Sequence, residues 1–205
     1  MLFEPTEDQE MLAETLSRFV ADAVTPNATA WSQAAKTPLD ALNGLRELGL
    51  LGLELPESAG GAGFGSVEWV QAVEALATGD AGLALSLVVH SVGAAVLTQA
   101  GGEHAALVQD LASGEVFASL AWVDARATPL NIREDADALV LNGVKEAVAN
   151  SEYAKWILVR AKRGEEEGMV LVAGDAKGLS LEAQTHGLGL RSAGFANAQF
   201  TDVTI

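Results

Sequence analysis

The hydrophobic positions of this chain repeat with two different periods, and the change comes just past its middle. Between Thr6 and Ala23 the apolar residues Met11, Leu12, Leu16, Phe19, Val20 and Ala23 recur at the spacing of one helix face. Thr6 with Gln9 forms a capping-box pair, Glu7, Asp8 and Glu10 put negative charge on the first turn, and Pro26 stops the pattern. Thr37-Pro38 reads as a cap followed by proline at the first helical position, with Leu39, Leu42, Leu45 and Leu48 behind it. Ser66 opens a third helix carrying Trp69, Val70, Val73 and Leu76. Asp80 caps a fourth that is apolar almost all round, and a fifth covers residues 103–112. From Val116 the period becomes two. Strands are predicted over 116–122, 138–144, 156–161, 169–173, 179–183 and 199–205, with short polar turns between. The pattern predicts an α+β protein: an all-α helical domain over residues 1–114, then a small antiparallel β-barrel or sandwich over 115–205.

Composition narrows the possible partners. Hydrophobic residues make up 49% and charged residues 20% of 205, a globular profile long enough for one large or two smaller cores. The net charge of −16 is uneven: the first 115 residues hold 16 acids and 3 bases, the remaining 90 hold 12 acids and 9 bases. Such a surface repels nucleic acid and anionic lipid, and any anionic small molecule needs a local cation. The absence of cysteine excludes disulfides and thiolate metal sites. An acidic N-terminus, Met-Leu-Phe-Glu-Pro-Thr-Glu-Asp, is unlike a secretory signal, which leaves a cytoplasmic location as the expectation. The apolar run from Gly82 to Ala100 approaches the length of a membrane span. Ser86, His90, Ser91 and Gly93 interrupt it and no Lys, Arg or aromatic anchors flank it, so it reads as a buried core helix.

Few side chains suggest chemistry by themselves. Gly61-Ala-Gly63-Phe-Gly65 imitates part of a dinucleotide fingerprint, but without a βαβ unit around it the stretch reads as a loop between helices. His90, His104 and His186 are too scattered for a metal site. Glu165-Glu-Glu167 beside Lys162-Arg163 reads as a solvated hairpin tip, and Arg191 as a structural ion-pair residue.

In order along the chain, a set of short motifs resembles the acyl-CoA dehydrogenase family. They are Phe19 … Thr25-Pro26 … Trp31, then Glu47-Leu-Gly-Leu-Leu-Gly-Leu-Glu-Leu-Pro56 with Gly60-Gly-Ala-Gly63, and Glu74-Ala-Leu-Ala … Asp80-Ala-Gly-Leu-Ala-Leu. Gly101-Gly-Glu … Leu111-Ala-Ser-Gly-Glu115 follows, then Leu141-Asn-Gly-Val-Lys145, Gly187-Leu-Gly-Leu-Arg191-Ser192 and Phe200-Thr-Asp-Val203. The resemblance covers essentially the whole chain. It implies an N-terminal helical domain and a middle β domain, with FAD as cofactor and an acyl-CoA thioester as substrate. It also implies that the catalytic glutamate, which removes the proton beside the thioester carbonyl, belongs to a C-terminal helical domain that these 205 residues do not match. A longer chain, a partner subunit or a homo-oligomer would then supply those helices.

The resemblance also exposes departures at the flavin. Where the family carries Thr-Glu-Pro-Gly-x-Gly-Ser-Asp, this chain reads Val123-Asp124-Ala125 and is several residues shorter. Where the family has Trp-Ile-Thr after Asn-Gly-x-Lys, it reads Ala147-Val148-Ala149. Losing an indole removes about 150–250 Å² of apolar surface, roughly 4–6 kcal/mol as an upper bound at about 25 cal/mol/Å². Trp122 is a candidate to restore part of that surface. The implied cofactor contacts are Leu120, Trp122, Val123 and Val148, through apolar surface or backbone, and the implied acyl-pocket residue is His90, which equally suits a core histidine. Arg126, Arg133 and Lys145 are the cations nearest to hand for the CoA phosphates. Two alternatives stand beside this reading: a non-catalytic binding or assembly module of the same fold, and a flavin monooxygenase or nitroalkane oxidase relative.

Overall fold

The computed structural model describes residues 4–135 and 138–205. Helix α1 (Glu7–Phe19) begins at the predicted capping box, with Thr6 and Gln9 each accepting from the other's backbone N–H. A π turn over Val20–Val24 extends it, closed by a hydrogen bond from Thr25 N to Val20 O at 2.8 Å, until Pro26. The short helix α2 (Ala28–Ala34) was not predicted. It buries no residue fully, so it carries no apolar stripe to read. Helix α3 (Leu39–Glu47) starts where expected, but not for the expected reason. Thr37 does not cap it; its buried hydroxyl donates instead to Ala193 O at 3.1 Å, far along the chain.

Helices α4 (Ser66–Gly79), α5 (Ala81–Ala100) and α6 (Ala105–Ser113) complete the helical part. Asp80 caps α5 by accepting from Leu83 N at 2.7 Å. By length and composition α5 is the kind of helix that can cross a membrane, yet 56% of its most apolar stretch lies buried inside the fold. Leu83 and Leu87 pack with Leu16, Leu42, Leu45 and Leu76 from the other helices, while Ala94 and Leu97 pack with Leu111, Ala118 and Leu158. Neighbours on several sides explain why its apolar residues run all round.

The β part contains β1 (Phe117–Ala121), β2 (Val123–Asp124), β3 (Asn131–Asp135), β4 (Ala138–Val148), β5 (Ala154–Arg163), β6 (Glu166–Ala173), β7 (Leu179–Ala183) and β8 (Ala196–Thr204). The sheet is mixed rather than antiparallel. β1 runs parallel to β5 along its whole length, β3 touches the end of β5 in parallel, and the remaining ladders are antiparallel. A parallel pair needs a long connection, and here residues 122–153, with β2, β3 and β4, provide it. The nearly continuous burial of β1 fits a strand covered on both faces. β2 and β3 escaped prediction because one is two residues long and the other is mostly polar and exposed. The charged run after β5 does form a hairpin, with Gly164 and Glu165 between Arg163 and Glu166.

The helical and β parts meet through polar contacts between distant segments. Ser192 Oγ donates to Asp80 Oδ1, Asn150 Nδ2 to Ser86 O at 2.9 Å, and Arg191 Nε to Ser32 O at 2.6 Å. Arg191 also donates to the carbonyls of Thr185 and Gly187, so it holds backbone rather than forming the ion pair expected of it. Gly82 sits in this seam because a Cβ there would press on Ser192 Oγ and come within 2.8 Å of Ala193 N. Gly82→Val is therefore expected to lower stability by about 1–3 kcal/mol through overpacking. A fall in the urea midpoint checks it, and an unchanged midpoint would show a seam loose enough to yield.

Candidate functional site

The positions singled out at the flavin gather where β1 passes into β2. β2 lies antiparallel to β4, with Val123 opposite Glu146 and Asp124 opposite Lys145. The connection from β2 to β3 folds straight back onto β4. Ala125 N donates to Val144 O at 3.0 Å, Val144 N to Thr128 O at 2.8 Å, and Leu130 N to Asp124 Oδ1 at 3.0 Å. Gly143, at φ 139°, admits this close approach, since a Cβ there would come within 2.6 Å of Leu130 Cα. The shortened loop is thus held down on the sheet.

Beneath it lies a chain of charges. The Lys145 side chain is completely buried and its ammonium stands 2.7 Å from Asp124 Oδ1, with Trp122 O 3.4 Å away. Arg160 Nη1 approaches Asp124 Oδ2 at 4.0 Å, and Arg160 Nε and Nη2 donate to Glu167 Oε2 at 3.2 and 2.7 Å. Lys162 reaches the other Glu167 oxygen at 2.8 Å. Burial pushes the Asp124 carboxyl up, but the hydrogen bond from Lys145, helped by Leu130 N–H, outweighs it and holds the group below the usual range. Burial pushes the Lys145 ammonium down from the ordinary lysine value, against the pull of Asp124. Hydrogen bonds from Lys162 and Arg160 bring Glu167 down to about 2.

Two large apolar side chains stand open beside this network, Trp122 at 53% and Val123 at 49% exposure. Ala147, at φ 54° in a bulge of β4, is exposed as well. Adjacent apolar groups left to solvent mark a contact surface more often than a lone one does. Leu120 is half-buried behind them and packs on Val89, Ala149 and Ala193. Val148 is fully buried in the β core with Leu141, Ile157 and Phe200, so its side chain lines no open surface and only its backbone is left for the contact expected of it. His90 is also in the core. Its Nδ1 accepts from Ala118 N at 3.3 Å and its Nε2 lies 3.1 Å from Leu111 O, which leaves no ring nitrogen for an acyl-chain or thioester contact. Of the three cations considered for CoA phosphates, Lys145 is sealed in, Arg133 is paired with Asp135 at 2.9 Å, and Arg126 is exposed on the loop after β2.

The surface at Trp122, Val123 and Ala147 is apolar and open to solvent. It supplies no side-chain hydroxyl at 123 or 149, and Ala149 is buried with its carbonyl accepting from Ser119 Oγ. Reading the sequence missed Asp124, Arg160 and Glu167 as one unit. The available signal was a single arginine in the otherwise apolar run Trp156-Ile-Leu-Val-Arg160-Ala161. Among the described residues no group of three His, Asp or Glu side chains is arranged to hold a metal ion.

The comparisons agree with this architecture. The profile described as acyl-CoA dehydrogenase, N-terminal domain, matches residues 6–115, and the one described as acyl-CoA dehydrogenase, middle domain, matches residues 122–203. A probable acyl-CoA dehydrogenase of Bacillus subtilis, YngJ, is 29% identical over 100% of this chain and 58% of its own length. Benzylmalonyl-CoA dehydrogenase of Aromatoleum aromaticum is 26% identical over 93% of this chain and 53% of its own. Among solved structures, glutaryl-CoA dehydrogenase from Mycobacterium smegmatis in complex with FADH2 superposes with a TM-score of 0.90 at 23% identity, covering 98% of this chain and 54% of that one. Butyryl-CoA dehydrogenase from Megasphaera elsdenii gives 0.91 at 20% identity, covering 100% and 58%. The chain spans a little over half the length of these relatives. With two successive domain profiles matched in order along a fold of this similarity, the chain belongs to the acyl-CoA dehydrogenase family.

Proposed function

We propose that this chain forms the helical and middle-domain platform of a flavoprotein that takes part in α,β-desaturation of an acyl-CoA thioester. The observation that carries the reading is the pair of family domains, in order, on one continuous fold. Bound FAD would supply the hydride acceptor for such a reaction. Trp122 and Val123 would cover one side of the ring and keep water from it, and the buried Lys145–Asp124 pair would keep β2 fixed on β4 beneath. Arg126 is the exposed cation of the loop beside this surface and would meet a phosphate that the net charge of −16 otherwise repels. The proton-removing carboxylate comes, on this reading, from helices outside these 205 residues, in the same or another subunit.

The missing hydroxyls at Val123 and Ala149 favour a second reading, a non-catalytic assembly module of the same fold. One experiment separates them. The purified chain is mixed with FAD, passed over a sizing column, and its visible spectrum recorded. Flavin absorbance travelling with the protein is the expected result; colourless protein overturns the flavoprotein reading and favours the module. Desaturation of an acyl-CoA by the 205-residue chain alone would overturn the external origin of the carboxylate.

A further inference from the structure

Strand β7 (Leu179–Ala183) ends the sheet, with β8 on one side and, among the described residues, no strand on the other. The ladder fixes which of its backbone groups face the open side. Gln184 N donates to Phe195 O at 2.8 Å and Thr201 N to Gly178 O at 2.9 Å, and both pairs continue the β7–β8 register. Bonded and non-bonded pairs alternate along an antiparallel ladder, so Ser180 and Glu182 bond to β8 while Leu179, Leu181 and Ala183 turn their N–H and C=O groups outward. Leu179 N is taken by Ala176 O at 3.1 Å; its carbonyl and both groups of Leu181 and Ala183 have no partner among the described residues. The edge also lacks the devices that usually keep such strands from pairing. Its ladder has no bulge, it contains no proline, and Glu182 is its single charged residue. Leu181 stands opposite the fully buried Ala198, hence on the core-facing side of the sheet, yet it is 36% exposed. It borders two clefts of about 350 and 520 Å³, one lined also by Phe195 and the other by Tyr153 and Trp156.

Charge and register together select the occupant. The chain carries −16, but around this edge Lys36, Lys155 and Lys177 stand with Glu152, Asp175 and Glu182, so the patch is neutral where most of the surface repels a copy. Two copies of β7 laid antiparallel about Leu181 complement each other. Leu181 exchanges both bonds with its counterpart, and each Ala183 N–H meets the other copy's Leu179 C=O. Glu182 then faces the other copy's Ser180 hydroxyl, whereas centring the pair on Glu182 would set two carboxylates together. We infer that β7 is the contact edge of a twofold dimer in which the sheets of two copies of this chain join through Leu181. The inference is separate from the flavin reading, since none of these residues belongs to the Trp122 surface. An edge of five residues is short for a permanent interface, so the association is weak and concentration-dependent.

The test follows the intact chain by sedimentation and by NMR amide exchange over a range of concentration. A monomer–dimer equilibrium is expected, strengthened by salt that screens the remaining repulsion. As dimer forms, the Leu181 and Ala183 amides gain protection, while those of Ser180 and Glu182, bonded to β8, are protected throughout. Ser180→Lys should tighten the dimer about fivefold and Ser180→Glu loosen it about fivefold, two cross-strand pairs acting in each dimer. The same charge changes at Gln99, exposed at the end of α5, should do far less. A chain that stays monomeric with open Leu181 and Ala183 amides overturns the self-pairing and leaves the edge to a different occupant, such as an extended peptide. Protection of those amides in the monomer shows an edge closed within one chain, and a dimer that leaves them open or ignores residue 180 uses another face; either result overturns the inference. None of these outcomes bears on flavin uptake.

Discussion

Asp124→Ala is expected to cost about 3–5 kcal/mol of folding stability, the usual result of stripping the partner from a buried charge. The Lys145 side chain has no exposure to water, and the Asp124 carboxylate at 2.7 Å is its counter-ion. Without that carboxylate the ammonium keeps only Trp122 O, a longer and neutral contact. The converse change, Lys145→Met, should be far milder. Methionine fills a similar volume with apolar atoms, and Asp124 retains Leu130 N–H, Arg160 and some access to solvent. Urea unfolding of the two variants at neutral pH measures the asymmetry; equal losses would mean that the charge pair itself, rather than the burial of lysine, dominates. Acid should reproduce part of the first variant. Because the folded carboxyl is held below its ordinary value, its contribution is complete above that value and disappears as pH falls through the lowered one.

Acidification from pH 7 to pH 4 is expected to remove about 3 kcal/mol more through His90 alone, at about 1.36 kcal/mol per pKa unit. Burial lowers this imidazole from 6.5 to about 4, with the Leu111 carbonyl pulling weakly the other way. The neutral ring suits its site. Nδ1 accepts from Ala118 N, Nε2 faces Leu111 O, and the edge-on contact with Phe117, 5.8 Å between centroids, completes the enclosure. Between about pH 6.5 and 4 the unfolded chain binds a proton there that the folded chain does not, so stability rises with pH across that window. His90→Gln should show a shallower slope over the same range, because the amide can bond to backbone without titrating. The difference between the two slopes isolates His90 from the many carboxylates that also protonate in acid. Parallel curves would show that the ring is protonated within the fold. His90 thus joins α5, α6 and β1, and its place in an apolar helix was legible while its partners were not.

Features set by neighbours along the chain were readable from the sequence. The Thr6–Gln9 box, the Asp80 cap, the all-round apolarity of α5 and the alternation along β8 each depend on residues within a turn or a strand of one another. So did the ordered family motifs, and with them the two kinds of domain. What escaped were the short or polar elements α2, β2 and β3, and every pairing between distant segments. Thr37 looks like a helix cap because its neighbours resemble those of a cap, yet its hydroxyl serves Ala193. Lys145 looks like an available cation, yet the fold of β2 over β4 buries it. Trp122 meets Arg160 only because β1 lies parallel to β5, with Ala121 beside Val159, so that the next residues on each strand come together. Periodicity records which face of an element avoids water; it carries no record of which remote face will cover it. That choice is made by packing and hydrogen bonding across the whole molecule, and here it decided which of the candidate side chains reach the surface and which are sealed in the core.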